Sequence, residues 1–461
     1  MFEPVIGLEI HAQLLTETKI FCGCSATFGA PPNTHICPVC IGLPGALPVL
    51  NRRAVDYAVL ASLALGCTIN ERSIFARKNY FYPDLPKGYQ ISQYEQPLAT
   101  DGRLRGVGII RVHMEEDAGK SLHEGFPDSS RKTYVDYNRS GVPLIEIVTH
   151  PDLRSAADAA AFFSALREIL VWLGVNDGNM EEGSLRCDAN VSVRPAGEAT
   201  LGTKAEVKNL NSFRFLQKAL EYEIDRQIDV VSTGGRVVQE TRLWDASAGH
   251  TVSMRSKEEA HGYRYFPEPD LPPLIVEAAR VDAIRSEMPE LPETRRARFV
   301  EQYALPDYDA GQLTQTRALA DYFEATVAAG APPKAASNWT MQSRTPAGSA
   351  VTPVSLAELI ALVEEGTISS SVAKGVFEKM VATGQRAGAI VDAEGLTQIS
   401  DESAITALIA EVLARNDDAV AQYRAGKNAT FGFLVGQVMK AAGGKANPKR
   451  INELLKQALG A

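Results

Sequence analysis

The chain has 461 residues, of which 45% are hydrophobic and 22% are charged, and its formal net charge is -9. This composition excludes collagen, disordered tails and disulfide-stapled miniproteins, and the length suffices for about two to four domains. No segment approaches the ~18 consecutive apolar residues of a membrane span, and no basic leader precedes an apolar core at the N-terminus. We therefore expect a cytoplasmic protein that does not bind membranes.

Alternating polarity predicts several half-buried strands in the first 290 residues or so. The segments with this period are 8–14, 109–115, 188–194 and 204–208. In the first of them Glu9, His11 and Gln13 share one face, and in the second His113 and Glu115 do. Charged and imidazole side chains that recur on one face of several strands indicate a functional site rather than an ordinary solvent-exposed face.

Helical periods lie between these strands, over 51–66, over 154–173 and from the candidate N-cap Ser212 onward. Strands and helices in this mixed order, without a regular βαβ rhythm, predict an α+β domain. The proline-rich segment 265–273 predicts extended chain. Beyond it, the pattern is almost wholly helical, over 294–302, 312–329, 356–365, 372–383, 404–414, 430–442 and 448–459. These segments predict small helical bundles, two in number.

Four of the six cysteines fall within nineteen residues as two close pairs, Cys22 with Cys24 and Cys37 with Cys40. Two such pairs joined by a short loop can place four thiolates around zinc, and a reducing cytosol disfavours disulfides. A four-cysteine site has no open coordination position, so we expect a structural role. Free buried thiols are the alternative.

Carboxylates cluster at 115–117, at Glu146 within an apolar strand and at 181–182. An acid within an apolar strand is costly unless it is paired or binds a cation. Oxygen ligands with an occasional imidazole are suited to Mg²⁺ that accompanies phosphates. No P-loop accompanies them, because the first glycine required before Gly119, Lys120 and Ser121 is replaced by Met114. A solvated or salt-bridged acid is the alternative at each position.

Two segments suggest RNA contacts. Aromatic and basic residues interleave over 77–90, where a loop could stack a base and hold phosphate, or could simply fold over its own tyrosines. From 423 to 461 the chain carries seven lysines and arginines against the single acid Glu453, so a basic tail follows an acidic body. Such asymmetry is typical of a nucleic-acid contact or of a solvated helical face.

Several long runs resemble one family, the B subunits of the aspartyl/glutamyl-tRNA amidotransferases, or GatB family. They are VIGLEIH at 5–11, RKNYFYPD at 77–84, HMEEDAGKS at 113–121, MEEGSLRCDAN at 180–190 and KNLNSF at 208–213. The resemblance spans almost the whole chain. It implies a cradle domain with a mixed or antiparallel sheet over 1–292, a helical domain over 293–400 and a tRNA-binding tail similar to the YqeY family over 401–461.

The resemblance implies ATP-dependent amidation of Glu-tRNA(Gln) or Asp-tRNA(Asn). ATP phosphorylates the side-chain carboxyl, and ammonia then displaces phosphate from the acyl phosphate. A Mg²⁺ held by acids is the expected stabiliser of the phosphoryl charge. We assign this ion to His11, Glu116 and Glu146, with Glu9 as a further ligand or a partner of one. Glu115 replaces Glu116 if the strand register differs by one residue.

The resemblance also implies substrate contacts and partners. The residues expected to bind the substrate or the tRNA are Lys78, Asn79, Tyr80, Tyr82, Ser184, Arg186, Lys440, Lys445 and Lys449, whereas the residues that contact ATP are left open. The sequence contains neither an amidase Ser-Ser-Lys setting nor a cysteine with a nearby base. Ammonia is therefore expected from a separate amidase, the A subunit, held to this chain by the small C subunit in a heterotrimer.

Two other classes of function are consistent with parts of the sequence. A zinc-stabilised RNA-binding module without catalysis would explain the tail and the aromatic loop but not the buried acids. A metal-dependent phosphohydrolase would explain the acids but not the tail. The sequence leaves open whether Asn-tRNA, Gln-tRNA or both are made.

Overall fold

A computed structural model describes residues 2–122, 125–129, 131–256, 260–343, 350–397, 402–443, 446 and 448–460. The chain divides into two compact units, Met1–Leu291 and Pro292–Ala461. Among the described residues, no helix is both long enough and apolar enough to cross a membrane.

The first unit contains all the strands of the described chain. They are β1 (Phe2–Gln13), β2 (Thr68–Ile69), β3 (Arg72–Ser73), β4 (Phe75–Asn79), β5 (Tyr89–Gln93), β6 (Ala99–Leu104), β7 (Val107–Glu116), β8 (Lys120–Leu122), β9 (Tyr134–Asp136), β10 (Pro143–Thr149), β11 (Leu185–Pro195), β12 (Ala205–Lys208), β13 (Glu240–Asp245), β14 (His250–Ser256), β15 (Phe266–Pro267) and β16 (Leu274–Ile275). The four segments predicted as strands are therefore confirmed.

The main sheet of this unit has nine described strands in the order β14-β13-β12-β11-β1-β10-β7-β6-β2. Its pairs are antiparallel except for β12 with β13, so the expected mixed sheet is confirmed. Three small sheets accompany it, with the orders β15-β4-β5, β16-β3 and β8-β9.

Helices cover one face of the main sheet. They are α1 (Arg52–Ala64), α2 (Ala156–Trp172) and α3 (Phe213–Ser232), and α4 (Ala278–Glu287) packs on α1. The side chains of Ile6, Leu8 and Ile10 on β1 are almost fully buried in the core beneath them. Because successive strand residues point to opposite faces, the residues between these apolar ones lie on the other face of the sheet.

The three predicted helices of this unit are confirmed, and their starts have clear physical causes. Asn51, Ser155 and Ser212 each precede a helix in an extended conformation. Their side chains accept hydrogen bonds from backbone N–H groups of the first turn, which have no partner within the helix. Ser212 is thus the N-cap that the sequence predicted.

The described part of the second unit is helical. Its helices are α5 (Pro292–Tyr303), α6 (Asp307–Leu313), α7 (Arg317–Ala328), α8 (Pro333–Ser343), α9 (Pro353–Glu364), α10 (Ser370–Thr383), α11 (Ala387–Glu394), α12 (Glu402–Arg415), α13 (Asp417–Arg424), α14 (Ala429–Ala441) and α15 (Pro448–Leu459). The helices from α12 onward share an apolar cluster of their own. The division predicted at 400/401 stays a prediction.

Several helices of this unit differ from the sequence-based prediction. The single helix predicted over 312–329 is wrong, because Thr316 caps a new helix by accepting a hydrogen bond from the N–H of Leu319. The helices α6, α8, α11 and α13 were not predicted. In α8, the fully buried side chains include Ala336, Ser337 and Thr340, which give no hydrophobic period for a sequence pattern to detect.

Candidate functional site

A row of polar side chains crosses the face of the main sheet opposite the helices α1, α2 and α3. His11 on β1 lies opposite Arg186 on β11 and Glu146 on β10, and Glu146 lies opposite His113 on β7. Since directly opposed residues of antiparallel strands point to the same face, these four side chains lie side by side. The sheet therefore collects charged groups from four strands that are distant in sequence.

Four side chains form a compact group, which we call the His–Glu cluster: His11, His113, Glu115 and Glu146. The His11 Nε2 atom lies 3.4 Å from a Glu146 oxygen and 3.8 Å from a Glu115 oxygen. The His113 Nε2 atom lies 3.2 Å from Glu146 and 3.9 Å from Glu115. Single ligand atoms from His11, Glu115 and Glu146 all lie within 4.8 Å of one another, so these three residues could hold a cation.

The charges within the cluster shift the pKa values of His11 and Glu146. Burial lowers the pKa of His11, but the hydrogen bond to Glu146 and the charges of Glu146 and Glu115 outweigh burial and raise that pKa. Burial would raise the pKa of Glu146, yet the two histidines hold it well below its ordinary value. The two histidines thus favour the ionised form of the Glu146 carboxylate, which is the form that binds a cation.

Glu116 lies outside this cluster, contrary to the predicted ligand set. It is the neighbour of Glu115 on β7 and points to the other face of the strand, where it forms an ion pair with Lys87. Its carboxylate also accepts a hydrogen bond of 2.9 Å from the N–H of Ile91. The structure therefore brings Glu115, and not Glu116, to His11 and Glu146.

Two adjoining cavities open above the cluster and share His11, Lys78, Asp188 and Lys208. The first, of about 270 Å³, also contains Glu9, whose carboxylate accepts a hydrogen bond of 2.9 Å from Asn190. The predicted residue Glu9 thus lies beside the cluster and outside its group of potential ligands.

The second cavity, of about 490 Å³, has an ion-pair network at its wall. Asp117 accepts hydrogen bonds from Arg186 at 3.0 Å and from Gln13 at 2.7 Å, and Arg139 lies 3.7 Å from it. Burial opposes ionisation of Asp117, but the two guanidinium groups lower its pKa. Arg139 was missed in the sequence, because it lies in a loop with no motif of its own.

Lys78 lines both cavities and bears a strongly stabilised charge. Burial would lower its pKa, but Glu115, the Tyr265 hydroxyl and Glu146 raise it well above its ordinary value. The predicted contact residue Tyr80 lines the second cavity, where its hydroxyl donates to Gln90 at 3.1 Å. Lys78 and Tyr80 are therefore placed to meet a bound molecule.

Three other predicted contact residues do not line either cavity. Asn79 donates to the carbonyl oxygens of Tyr263 and Arg264, and thereby ties β4 to that segment. The Ser184 hydroxyl donates to the Asn179 carbonyl at 2.8 Å within its own turn. Tyr82 is 43% exposed and packs edge-on against Tyr80.

The predicted tail residues are only partly described. Lys440 is exposed near the end of α14. Lys445 lies outside the described residues, and so does the side chain of Lys449 on α15.

The four predicted cysteines come together in one cluster. The sulfur of Cys40 lies 3.5 Å from that of Cys22 and 3.7 Å from that of Cys37, and all four sulfurs, with Cys24, lie within 4.8 Å of one another. Four sulfurs at ~2.3 Å from a tetrahedral zinc ion would be about 3.8 Å apart, so the residues fit this ion. The hydrogen bond with Cys22 lowers the pKa of Cys40 to about 4, which favours the thiolate.

The purified chain is expected to contain one zinc ion per polypeptide, which plasma mass spectrometry would measure. Cys40→Ser should reduce this content strongly, because it removes one of four thiolate ligands. The matched control is Cys67→Ala, since Cys67 is buried in the core away from the cluster. Equal zinc content in both variants would contradict the predicted site.

Two models of known protein families match this chain. The model of the GatB/GatE catalytic domain matches residues 4–282, and a model described as the GatB domain matches residues 321–459. The chain belongs to the GatB family. The first match contains every residue of the His–Glu cluster and of the cysteine cluster.

Full-length relatives in the GatB family agree with this assignment. The chain is 54% identical to the aspartyl/glutamyl-tRNA(Asn/Gln) amidotransferase B subunit of Myxococcus xanthus, over 100% of this chain and 99% of the relative. It is 55% identical to the proteins of the same name from Thermodesulfovibrio yellowstonii, over 98% of both chains, and from Solidesulfovibrio magneticus, over 100% of this chain and 99% of the relative.

Proposed function

We propose that this chain is the ATP-dependent subunit of an enzyme that amidates Glu-tRNA(Gln), Asp-tRNA(Asn) or both. The observation that carries the proposal is the His–Glu cluster beneath Lys78 in a chain of the GatB family. Because the reaction corrects tRNA before it is used in translation, we expect the protein in the cytoplasm.

The chemistry requires activation of the side-chain carboxylate. Ammonia cannot displace oxide from a carboxylate, so one carboxylate oxygen first attacks the γ-phosphorus of ATP, and ADP leaves. Ammonia then attacks the carbonyl carbon of the acyl phosphate, and inorganic phosphate leaves with the former carboxylate oxygen. The products are ADP, the amide and one inorganic phosphate, and the attacking nitrogen releases one proton. Each step needs positive charge beside the transferred phosphoryl group.

The residues of the site would supply that charge and hold the reactants. His11, Glu115 and Glu146 would hold a Mg²⁺ ion, whose chemistry is to neutralise negative charge on the phosphates. Two buried carboxylates and an imidazole fit this ion in donor type. Lys78 would contact phosphate from its position between the two cavities, and Arg186 would orient the bound molecule from the wall of the second cavity.

Ammonia would come from partner proteins. We infer an amidase, the A subunit, that hydrolyses glutamine and a small C subunit that holds the amidase to this chain, because the sequence of this chain lacks an amidase nucleophile. The chain alone should show no glutaminase activity. Ammonium chloride should replace glutamine as nitrogen donor.

Transfer of a carboxylate oxygen to phosphate tests the proposal. The chain with its partner subunits receives Glu-tRNA(Gln) labelled with ¹⁸O in the side-chain carboxylate, together with ATP and ammonium chloride. We expect one labelled oxygen in each inorganic phosphate formed. Amidation that releases unlabelled phosphate would contradict an acyl phosphate route, and uncharged tRNA is the control for background hydrolysis.

The basic tail is expected to hold the tRNA body. Lys427, Lys440 and Lys456 are exposed on or beside its helices. Their combined replacement by alanine should weaken tRNA binding. It should also reduce the slope of log K for tRNA binding against the logarithm of the salt concentration by up to about three. The KM for ATP should not change. The control is Lys374→Ala on α10, which is also exposed. Unchanged tRNA affinity in the triple variant would remove the tail from tRNA recognition.

A further inference from the structure

Lys19 is a fully buried lysine, with a side chain that is 0% exposed. Its Nζ atom donates to the carbonyl oxygen of His35 at 2.7 Å, to the sulfur of Cys40 at 3.4 Å and to the carbonyl oxygen of Tyr137 at 3.4 Å. No carboxylate of the described residues forms an ion pair with it. A buried ammonium group without a counter-charge is costly.

The sulfur of Cys40 is the one acceptor in this set that can carry a full negative charge. Four neutral thiols would leave the Lys19 ammonium uncompensated. Four thiolates around a divalent cation instead carry a net charge of about minus two, which an adjacent ammonium offsets in part. The burial of Lys19 is therefore explained by a cysteine cluster in its metal-bound, anionic form.

We propose that Lys19 is a positioning residue of the cysteine metal site, whose ammonium donates a hydrogen bond to the Cys40 thiolate and offsets the charge of the four sulfurs. The inference rests on the proposed zinc site and is independent of the amidation chemistry. A hydrogen bond and a positive charge at a thiolate lower its electron donation and its basicity. Hydrogen-bonding partners of metal ligands typically contribute about 10- to 100-fold to metal affinity.

Lys19 also joins the metal site to the wall of the second cavity. Its third acceptor, Tyr137, begins the segment 137–141, and Ser140 of that segment donates to the Cys40 carbonyl at 3.3 Å. The same segment carries Arg139, which lies 3.7 Å from Asp117. Lys19 thus lies between the cysteines and the segment that positions a guanidinium group of the functional site.

The test uses the full chain, with its partner subunits, loaded with zinc or with cobalt(II). Lys19→Met removes the charge and the donor while retaining most of the buried volume. Transfer of zinc to a coloured chelator should become at least about ten-fold faster. In the cobalt(II) form, the sulfur-to-metal charge-transfer band should move to lower energy, because the Cys40 sulfur loses a hydrogen bond.

Two further variants separate this role from a merely structural one. Asn138 accepts a hydrogen bond from the N–H of His35 at 2.8 Å and donates one to the Pro31 carbonyl at 2.7 Å. Asn138→Ala therefore removes hydrogen bonds between the cysteine loop and the segment 137–141. The substitution removes no hydrogen bond to a cysteine sulfur. It should not move the cobalt band. Lys19→Arg, which retains charge and donors, should keep the band near its wild-type energy. If Lys19→Met does not fold, Lys19→Gln, which also removes the charge, takes its place with the same expected direction of the shift.

Three results would overturn the inference. They are a wild-type chain that binds neither zinc nor cobalt(II), a Lys19→Met variant with the wild-type band and zinc-transfer rate, and a shift of the band in Asn138→Ala as large as in Lys19→Met. None of these results depends on amidation activity, so a failure here is distinguishable from a failure of the proposed reaction.

Discussion

Replacing Glu146 by glutamine is expected to slow ATP-dependent amidation by at least about a hundred-fold, because the site loses a charged ligand for the cation at the transferred phosphoryl group. Glutamine has the same shape, so the sheet should keep its register. Glu146 is also the carboxylate nearest to both His11 and His113, at 3.4 and 3.2 Å. The loss should appear in kcat for amidation with ammonium chloride, measured on Glu-tRNA(Gln).

The control for this variant is Glu287→Gln, an isosteric change at an exposed position on α4 of the same unit. It should leave kcat unchanged. An unchanged kcat in Glu146→Gln, with both proteins folded, would remove this carboxylate from the mechanism.

Separate replacement of the two adjacent glutamates of β7 should give opposite outcomes. Glu115→Gln removes a carboxylate of the His–Glu cluster and should weaken the binding of Mn²⁺, used as a probe for Mg²⁺, by at least about ten-fold. Glu116→Gln should leave Mn²⁺ affinity unchanged, since its carboxylate pairs with Lys87 on the other side of the strand. Calorimetric titration of each variant measures both affinities.

The free energy of unfolding should respond in the reverse order, with the larger loss in Glu116→Gln. Glu116 and Lys87 are both largely buried, so glutamine at position 116 leaves the lysine without its counter-charge. The expected cost is roughly 3 kcal/mol, a fall of about 5 °C in the midpoint of thermal unfolding. Loss of Mn²⁺ binding in Glu116→Gln with retention in Glu115→Gln would show that the predicted ligand set was right and the assignment from the structure wrong.

Strand alternation already contained the information that separates these two acids. The period of two groups His113 with Glu115, and the sheet register places His113 opposite Glu146. The prediction of Glu116 came from the run of acids at 115–117, where composition alone cannot choose between neighbours. Local periodicity therefore predicted the polar face of the sheet. The choice of the ligand within the acidic run required the observed face of β7 on which each side chain lies.

Other parts of the site depend on contacts that no local pattern encodes. The sequence predicted the four cysteines from their spacing, but not Lys19, which reaches the Cys40 sulfur from the segment that follows β1. Arg139 reaches Asp117 from a loop. Such residues have ordinary neighbours in the sequence, and their partners are set by the fold of the chain around the sheet.

ATP consumption by the chain co-expressed with its partner subunits is the decisive measurement, with ammonium chloride as nitrogen donor and with Glu-tRNA(Gln), uncharged tRNA or no tRNA. We predict turnover that requires Glu-tRNA(Gln) and is abolished by His11→Ala. Turnover that ignores the charging state of the tRNA, or that survives in His11→Ala, would contradict phosphorylation of the aminoacyl side chain at the His–Glu cluster.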